Sequence, residues 1–139
     1  MDNYIIYNKV SCNEQLGNLS FFEANKDVPF EIKRIYYIYG VNDGIKRGFH
    51  AHRNLKQALW CPYGRITIML DNGKEKQYYE LDNPNKMLIL KKGYWREMYW
   101  KTKDSVLCVA ASEHYDESDY IRNYDDYKQL ISEGYWNEY

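Results

Sequence analysis

Residues 47–52 read RGFHAH and contain two of the chain's three histidines, two positions apart. If this stretch is extended, residues two apart face the same side of the strand. His50 and His52 then point together. One face of a small β-barrel is its interior, so both rings would project into one cavity. The reading of this stretch decides whether the chain is a barrel with a functional lumen or a plain packed sheet.

The surroundings favour strands. Upstream, LSFFEA (Leu19–Ala24) and EIKRIYYIYG (Glu31–Gly40) are rich in β-branched and aromatic residues. VNDGIKRG carries a turn signal at Asp43–Gly44. Downstream, RITIMLDNGKEKQYYEL splits into two strands around Asp71–Gly73, a strong hairpin signal. NKMLILKKGYWREMYW and SVLCVAASEHY continue the pattern. Short strands at regular spacing specify an all-β sandwich or barrel. The tail is different. In SDYIRNYDDYKQLISEG, Tyr120, Ile121, Tyr124, Tyr127 and Ile131 recur at helical spacing. Ser118 is the expected N-cap and Gly134 the expected stop, which predicts one short C-terminal helix over about 118–133 of a single domain spanning 1–139.

Composition narrows the function classes. The 139 residues are 45% apolar, enough for a real core in one domain. Nineteen basic residues against twenty acidic ones argue against a general nucleic-acid binder. Sixteen tyrosines suit either sheet packing or an aromatic-lined pocket. Cys12, Cys61 and Cys108 are odd in number and form no CxxC, so a reduced, cytoplasmic chain is expected. The start, MDNYIIYNKV, shows neither a signal peptide nor a membrane span.

The histidine pair resembles the first cupin motif, in which a glycine precedes HxH, three or four residues, a Glu, six residues and a Gly. Here His50-Ala51-His52 is followed after four residues by Gln57 and after six more by Gly64. Gln57 stands where the metal-binding Glu would be, and Gly48 lies closer to the pair than the pattern expects. The second cupin motif supplies another histidine; its counterpart, LKKGYWREM, has Arg96 there. Arginine is always cationic and offers a metal no lone pair. Two histidines, an amide and a guanidinium make a poor transition-metal site. Acid–base chemistry then remains for the imidazoles, whose pKa lies near neutrality.

The resemblance extends further. PFEIKRIYYIYGV, RGFHAHRNLKQALWCPYGRITIMLDNG, YWREM and YDESDYIRNYDDYK together resemble the nucleotide-sugar 3,4-ketoisomerases, from about Leu19 to Lys128. That resemblance implies a cupin-type β-barrel (a jelly roll) in a homodimer, with exchange of N-terminal strands as one arrangement. It implies dTDP-4-keto-6-deoxy-D-glucose as substrate, with neither metal nor organic cofactor, and a place in the biosynthesis of dTDP-3-amino-3,6-dideoxy sugars such as those of lipopolysaccharide O-antigen. The ketone would move from C4 to C3 through an enediolate.

Such a reaction needs a base, a proton donor and a group that stabilises the enediolate oxygen. His52 is expected as the base at C3 with His50 assisting, although spacing alone does not rank the two. Tyr37 is the candidate hydroxyl partner. Arg34, Arg47 and Arg122, in the three matched motifs, suit the pyrophosphate; Arg53 and Lys33 are weaker candidates. Gln57 and Arg96 are expected against the sugar. His114 is read as structural. Members of the resembling family with WHEM are associated with the galacto product and those with WREM with the gluco product, so Arg96 points to dTDP-3-keto-6-deoxy-D-glucose. Three rivals stay open. A nucleotide-sugar 3,5-epimerase shares the barrel and a His base, but its longer chain and His–Asp pairing are not evident here. A non-catalytic sugar-binding cupin is another, and a metal-dependent cupin oxygenase the last.

Overall fold

The computed structural model describes residues 3–137, with the side chains of 9–12 outside that description. Met1, Asp2 and the Cys12 thiol therefore lie outside the described residues. Before the tail the chain runs β1 (Tyr4–Tyr7), β2 (Lys9–Asn13), β3 (Gly17–Phe21), β4 (Arg34–Ile38), β5 (Lys46–His52) and β6 (Gln57–Tyr63). It continues through β7 (Ile66–Asp71), β8 (Lys76–Leu81), β9 (Lys86–Leu90), β10 (Trp95–Trp100) and β11 (Val106–Ala111). A 3₁₀ turn at Glu117–Asp119, β12 (Tyr120–Ile121) and α1 (Tyr124–Ser132) complete it.

Two antiparallel five-stranded sheets result, in the orders β1-β9-β6-β11-β4 and β12-β5-β10-β7-β8. Strands adjacent in sequence, such as β6 and β7, often lie in different sheets, which is the jelly-roll wiring of a cupin-type barrel. A separate two-stranded hairpin, β2–β3, pairs with neither sheet among the described residues.

Period-two alternation builds the core. In β7, Ile66, Ile68 and Leu70 point between the sheets, against Leu59, Leu88, Trp100 and Val109. Met69 points outward, under α1, with Ala51, Trp95, Ile121 and Tyr127. Both faces of β7 are covered, so all six of its residues are buried. Its polar members are satisfied: Thr67 Oγ1 donates to Glu80 Oε1 at 2.6 Å, and Asp71 Oδ2 accepts from Tyr124 Oη at 2.6 Å. Outside the first sheet, Val28 and Phe30 cover Ala58, Met87, Ile89 and Ala110. Full burial of each of those two side chains stabilises by about 1.5–3 kcal/mol.

The expected hairpin around Asp71–Gly73 is present as β7–β8, closed by Asn72, whose Oδ1 accepts from the Lys74 and Glu75 N–H groups. The tail corrects the expectation for 118–133. Tyr120 and Ile121 are a strand paired with His52 and Ala51, and the helix starts only at Tyr124. Asn123, not Ser118, is the N-cap, accepting from Asp126 N at 3.0 Å. Ladder pairing to β5 overrides the local periodicity, because Ile121 and Tyr127 reach one buried cluster from two different elements. Gly134 does stop the helix, with φ +71 and its N–H donating to the Ile131 carbonyl at 3.1 Å. Tyr127, fully buried, pins the helix to the barrel by placing its hydroxyl 2.9 Å from both the Asp71 and Gly93 carbonyls. Among the described residues no helix is long and apolar enough to cross a membrane.

Candidate active site

The histidines sit on a strand that is broken on purpose. β5 pairs with β10 as Met98↔Arg47 and Glu97↔Gly48, then shifts register to Arg96↔His50. Phe49 has no partner and is the extra residue of a β-bulge, a device that re-aims the side chains beyond it. Gly48 takes φ +95, and a Cβ there would lie 2.9 Å from the Arg96 carbonyl oxygen. Phe49 itself has φ +58, a costly conformation for a bulky residue. The glycine that sits too close to the histidine pair for the cupin pattern is thus the first residue of this bulge.

Beyond it the alternation is regular. Ala51 faces outward and packs under α1. His50 and His52 face the lumen with ring centroids 4.9 Å apart and planes nearly perpendicular. Tyr120, opposite His52 on β12, completes an aromatic triangle at 5.1 Å from His50 and 4.5 Å from His52. His50 Nδ1 lies 3.1 Å from the Gly48 carbonyl, and His52 Nδ1 lies 2.9 Å from Asp119 Oδ2. Both partners only accept, so each ring donates from Nδ1 and carries its lone pair on Nε2. His52 Nε2 is buried without a hydrogen-bond partner among the described residues.

Arg96 lies in the same lateral row, between Leu70 and His50. It is fully buried. Its Nη1 donates to Gln57 Oε1 and its Nη2 to the Tyr94 carbonyl at 3.1 Å, while Nε has no hydrogen-bond partner among the described residues. Gln57 Nε2 in turn donates to the Tyr36 hydroxyl at 2.9 Å. The two residues that replace metal-binding positions of the cupin pattern are therefore bonded to each other. Among the described residues no three His, Cys, Asp or Glu side chains come together as a metal donor set.

Burial shapes the electrostatics. Desolvation, then the Arg96 cation, pushes His50 down to about 3 and His52 down as well. Asp119 does not reverse this: it accepts from a neutral imidazole. Both rings are uncharged at neutral pH and able to take a proton. Burial brings Arg96 down to about 10, which still leaves it a cation at pH 7. A buried guanidinium whose bonded partners are neutral is costly unless an anion joins it, and such a group suits negative charge that develops on a bound substrate.

The lumen opens into a cleft of about 510 Å³ lined in part by Arg34, His52, His114, Tyr115, Asp119 and Tyr120. Of the expected residues, His50, His52, Arg34, Gln57 and Arg96 gather at this end of the barrel. Arg34 is half-buried, with its guanidinium 5.0 Å from the Tyr36 ring centroid and 5.6 Å from that of Tyr115. Arg122 lies 4.2 Å over the Tyr120 ring and is held by Glu117 at 2.7 and 3.0 Å. That pairing, led by the Arg122 bonds, holds the Glu117 carboxyl down at about 2.

Tyr37 is a correction. On β4 the lumen face carries Arg34, Tyr36 and Ile38, so Tyr37 points outward, 61% exposed and stacked on Tyr39. The tyrosine that joins the site is its neighbour Tyr36. Arg47 is exposed before the bulge and outside the cleft lining. Arg53 lies outside it too, its guanidinium 5.6 Å from the Tyr135 ring centroid. Lys33 pairs with Glu113 at 3.6 Å on the rim. His114, read as structural, is exposed in the cleft wall. The His–Asp pairing that is not evident in the sequence is present as His52–Asp119. Its signal lay in the DESDYIRNYD tail, but reading that tail as helix concealed the strand that brings Asp119 to His52.

Residues 2–132 match the FdtA family, described as WxcM-like, C-terminal. The chain is 42% identical over 132 residues to the TDP-4-oxo-6-deoxy-alpha-D-glucose-3,4-oxoisomerase of Aneurinibacillus thermoaerophilus, covering 95% of this chain and 94% of that one. It is similar to the crystal structure of a mutant of the 3,4-ketoisomerase QdtA from Thermoanaerobacterium thermosaccharolyticum in complex with TDP-4-keto-6-deoxyglucose. There the identity is 40%, the coverage 95% of each chain and the TM-score 0.90. A likeness in fold alone extends to the dTDP-4-dehydrorhamnose 3,5-epimerase of Bacillus anthracis, at 12% identity, TM-score 0.77 and coverage of 86% of this chain and 77% of that one.

Proposed function

The chain belongs to the FdtA family, WxcM-like, C-terminal, and on that premise we propose that it is a 3,4-ketoisomerase of dTDP-4-keto-6-deoxy-D-glucose. The observation that carries the reading is a pair of neutral imidazoles on one lumen face, His52 buried and His50 half-buried, beside a buried guanidinium with neutral partners.

The C4 ketone acidifies the C3 hydrogen. His52 Nε2 takes that proton; the C–H electrons form the C3=C4 bond and the carbonyl pair moves to O4. Arg96 stabilises the developing O4 charge. O4 then takes up a proton, O3 releases one, and C4 is protonated, with His50 relaying protons at that face. The C3 and O3 hydrogens are lost and the O4 and C4 hydrogens gained, so the ketone has moved without any change in composition. General acid–base catalysis of this kind contributes about 10²–10⁴-fold. Tyr36 takes the hydroxyl role first expected of Tyr37, and it does so through Gln57.

Arg34 in the cleft wall and Arg122, stacked on the cleft residue Tyr120, are the pyrophosphate candidates, with Tyr115 and Tyr120 as the aromatic groups for the base. The gluco product follows from Arg96: a permanent cation beside His50 cannot donate a proton to C4 as a titrating histidine does. The product would enter the biosynthesis of dTDP-3-amino-3,6-dideoxy sugars, in the cytoplasm, for glycans such as O-antigen. A homodimer with exchanged N-terminal strands is supported by the unpaired β2–β3 hairpin, on which Leu19 and Phe21 are exposed.

Proton NMR of dTDP-4-keto-6-deoxyglucose with metal-stripped protein in D₂O tests this reading. A 3-keto sugar with an equatorial C4 hydroxyl is expected, and recovery of unchanged substrate refutes it. The His52–Asp119 pair favours one second reading, the 3,5-epimerase. Deuterium at C5 with the ketone still at C4 would be its signature.

A further inference from the structure

We propose that Asp119 is a positioning residue: it holds His52 in the Nδ1–H tautomer and so keeps Nε2 free to accept the substrate proton. The inference rests on the reading of His52 as the base.

Asp119 is clamped independently of the histidine. Its Oδ1 accepts from the Asn54 N–H at 2.7 Å, and its own carbonyl accepts from the Arg53 N–H at 2.9 Å. Its N–H donates to the Asp116 carbonyl at 3.0 Å, inside the 3₁₀ turn. The second oxygen, Oδ2, is thereby presented to His52 Nδ1 at 2.9 Å. The Tyr120 and His50 rings also meet it, and their face and edge contacts do not distinguish one tautomer from the other. His52 Nε2 has no partner at all among the described residues. Among the described residues Asp119 is the hydrogen-bond partner of this ring, and that bond places the hydrogen on Nδ1.

The isosteric variant Asp119→Asn is the informative one because of Asn54. A backbone N–H only donates, so the oxygen of the new amide is retained at the Oδ1 position. The NH₂ group is left facing His52 Nδ1, which must now accept. The ring hydrogen moves to Nε2, the atom required as a lone pair. The substitution thus reverses the tautomer, where a merely structural contact would only be weakened.

The test is long-range ¹H–¹⁵N NMR of the full chain labelled at histidine, with His52 assigned from a His52→Asn variant. In the unaltered protein the expected pattern is a protonated Nδ1 and a pyridine-like Nε2. In Asp119→Asn the two should exchange, kcat should fall by about 10²–10⁴-fold, and affinity for TDP should stay within about twofold. A hydrogen on Nε2 in the unaltered protein overturns the proposal without recourse to any variant. An unchanged tautomer in Asp119→Asn, with turnover within twofold, overturns it as well. If the tautomer reverses but the unaltered protein turns over no 4-keto sugar, the positioning role stands and the ketoisomerase reading falls.

Discussion

Gly48→Ala probes the bulge on which the whole site depends. The Cβ would meet the Arg96 carbonyl oxygen at 2.9 Å, Met98 Cε at 3.1 Å and Glu97 Cα at 3.3 Å, with φ at +95. The methionine end can swing away, but two of the three contacts are β10 backbone. Left-handed backbone costs a non-glycine residue about 1–2 kcal/mol, and displacing a packed strand adds about 1–3 kcal/mol of overpacking. The sum, roughly 2–5 kcal/mol, lowers the melting temperature by roughly 6–15 °C in a domain of this size. Function should suffer beyond stability, because the Gly48 carbonyl anchors His50 Nδ1 at 3.1 Å and Arg96 is the residue struck. A misplacement of about 1 Å costs up to about 10²-fold in turnover. The assay is thermal unfolding by circular dichroism, with turnover measured well below both transitions. A melting temperature within 2 °C and turnover within twofold would refute the bulge argument. Phe49→Gly is the control: it removes left-handed strain from a residue 43% exposed, and stability should change by less than about 1 kcal/mol.

Tyr36→Phe should cut kcat by about tenfold, since it strips the acceptor from Gln57 and loosens the Arg96 contact; Tyr37→Phe should leave turnover within about twofold. Steady-state kinetics of both variants checks this, and the reverse order would place Tyr37 in the site. Arg96→His should move product toward the galacto epimer, read from the C4 proton coupling; an unchanged ratio would remove Arg96 from facial control. Stability should depend on pH through the two histidines. Their folded-state pKa values lie below the ordinary 6.5, His50 at about 3, so the unfolded chain binds protons that the folded one does not. Stability is then complete above pH 6.5 and is lost as pH falls toward 3, by up to about 1.4 kcal/mol per unit per histidine. Urea titrations across that range should show a flatter dependence for His50→Asn/His52→Asn, and an unaltered slope would contradict the burial argument.

The strand-rich barrel, the β7–β8 hairpin and the lumen-facing histidine pair were legible because each rests on a local rule: alternation, turn chemistry, two-residue spacing. Gln57 and Arg96 were legible as departures from a spacing pattern. What stayed hidden depended on phase or on long-range pairing. Tyr36 and Tyr37 are equivalent by composition; only the register of β4 against β11, Val109↔Tyr36 and Cys108↔Tyr37, decides which one faces the lumen. Tyr120 and Ile121 satisfy helical spacing, yet ladder bonds to β5 hold them extended and carry Asp119 to His52 across 67 positions of sequence. The amino-acid sequence by itself determined which chemical groups were available and that two imidazoles share a face, since those follow from residue identity and the period of a strand. The tertiary structure alone decided which nitrogen of His52 is left bare and that Arg96 has neutral partners, because hydrogen-bond partners and burial are set by chain segments that meet only on folding.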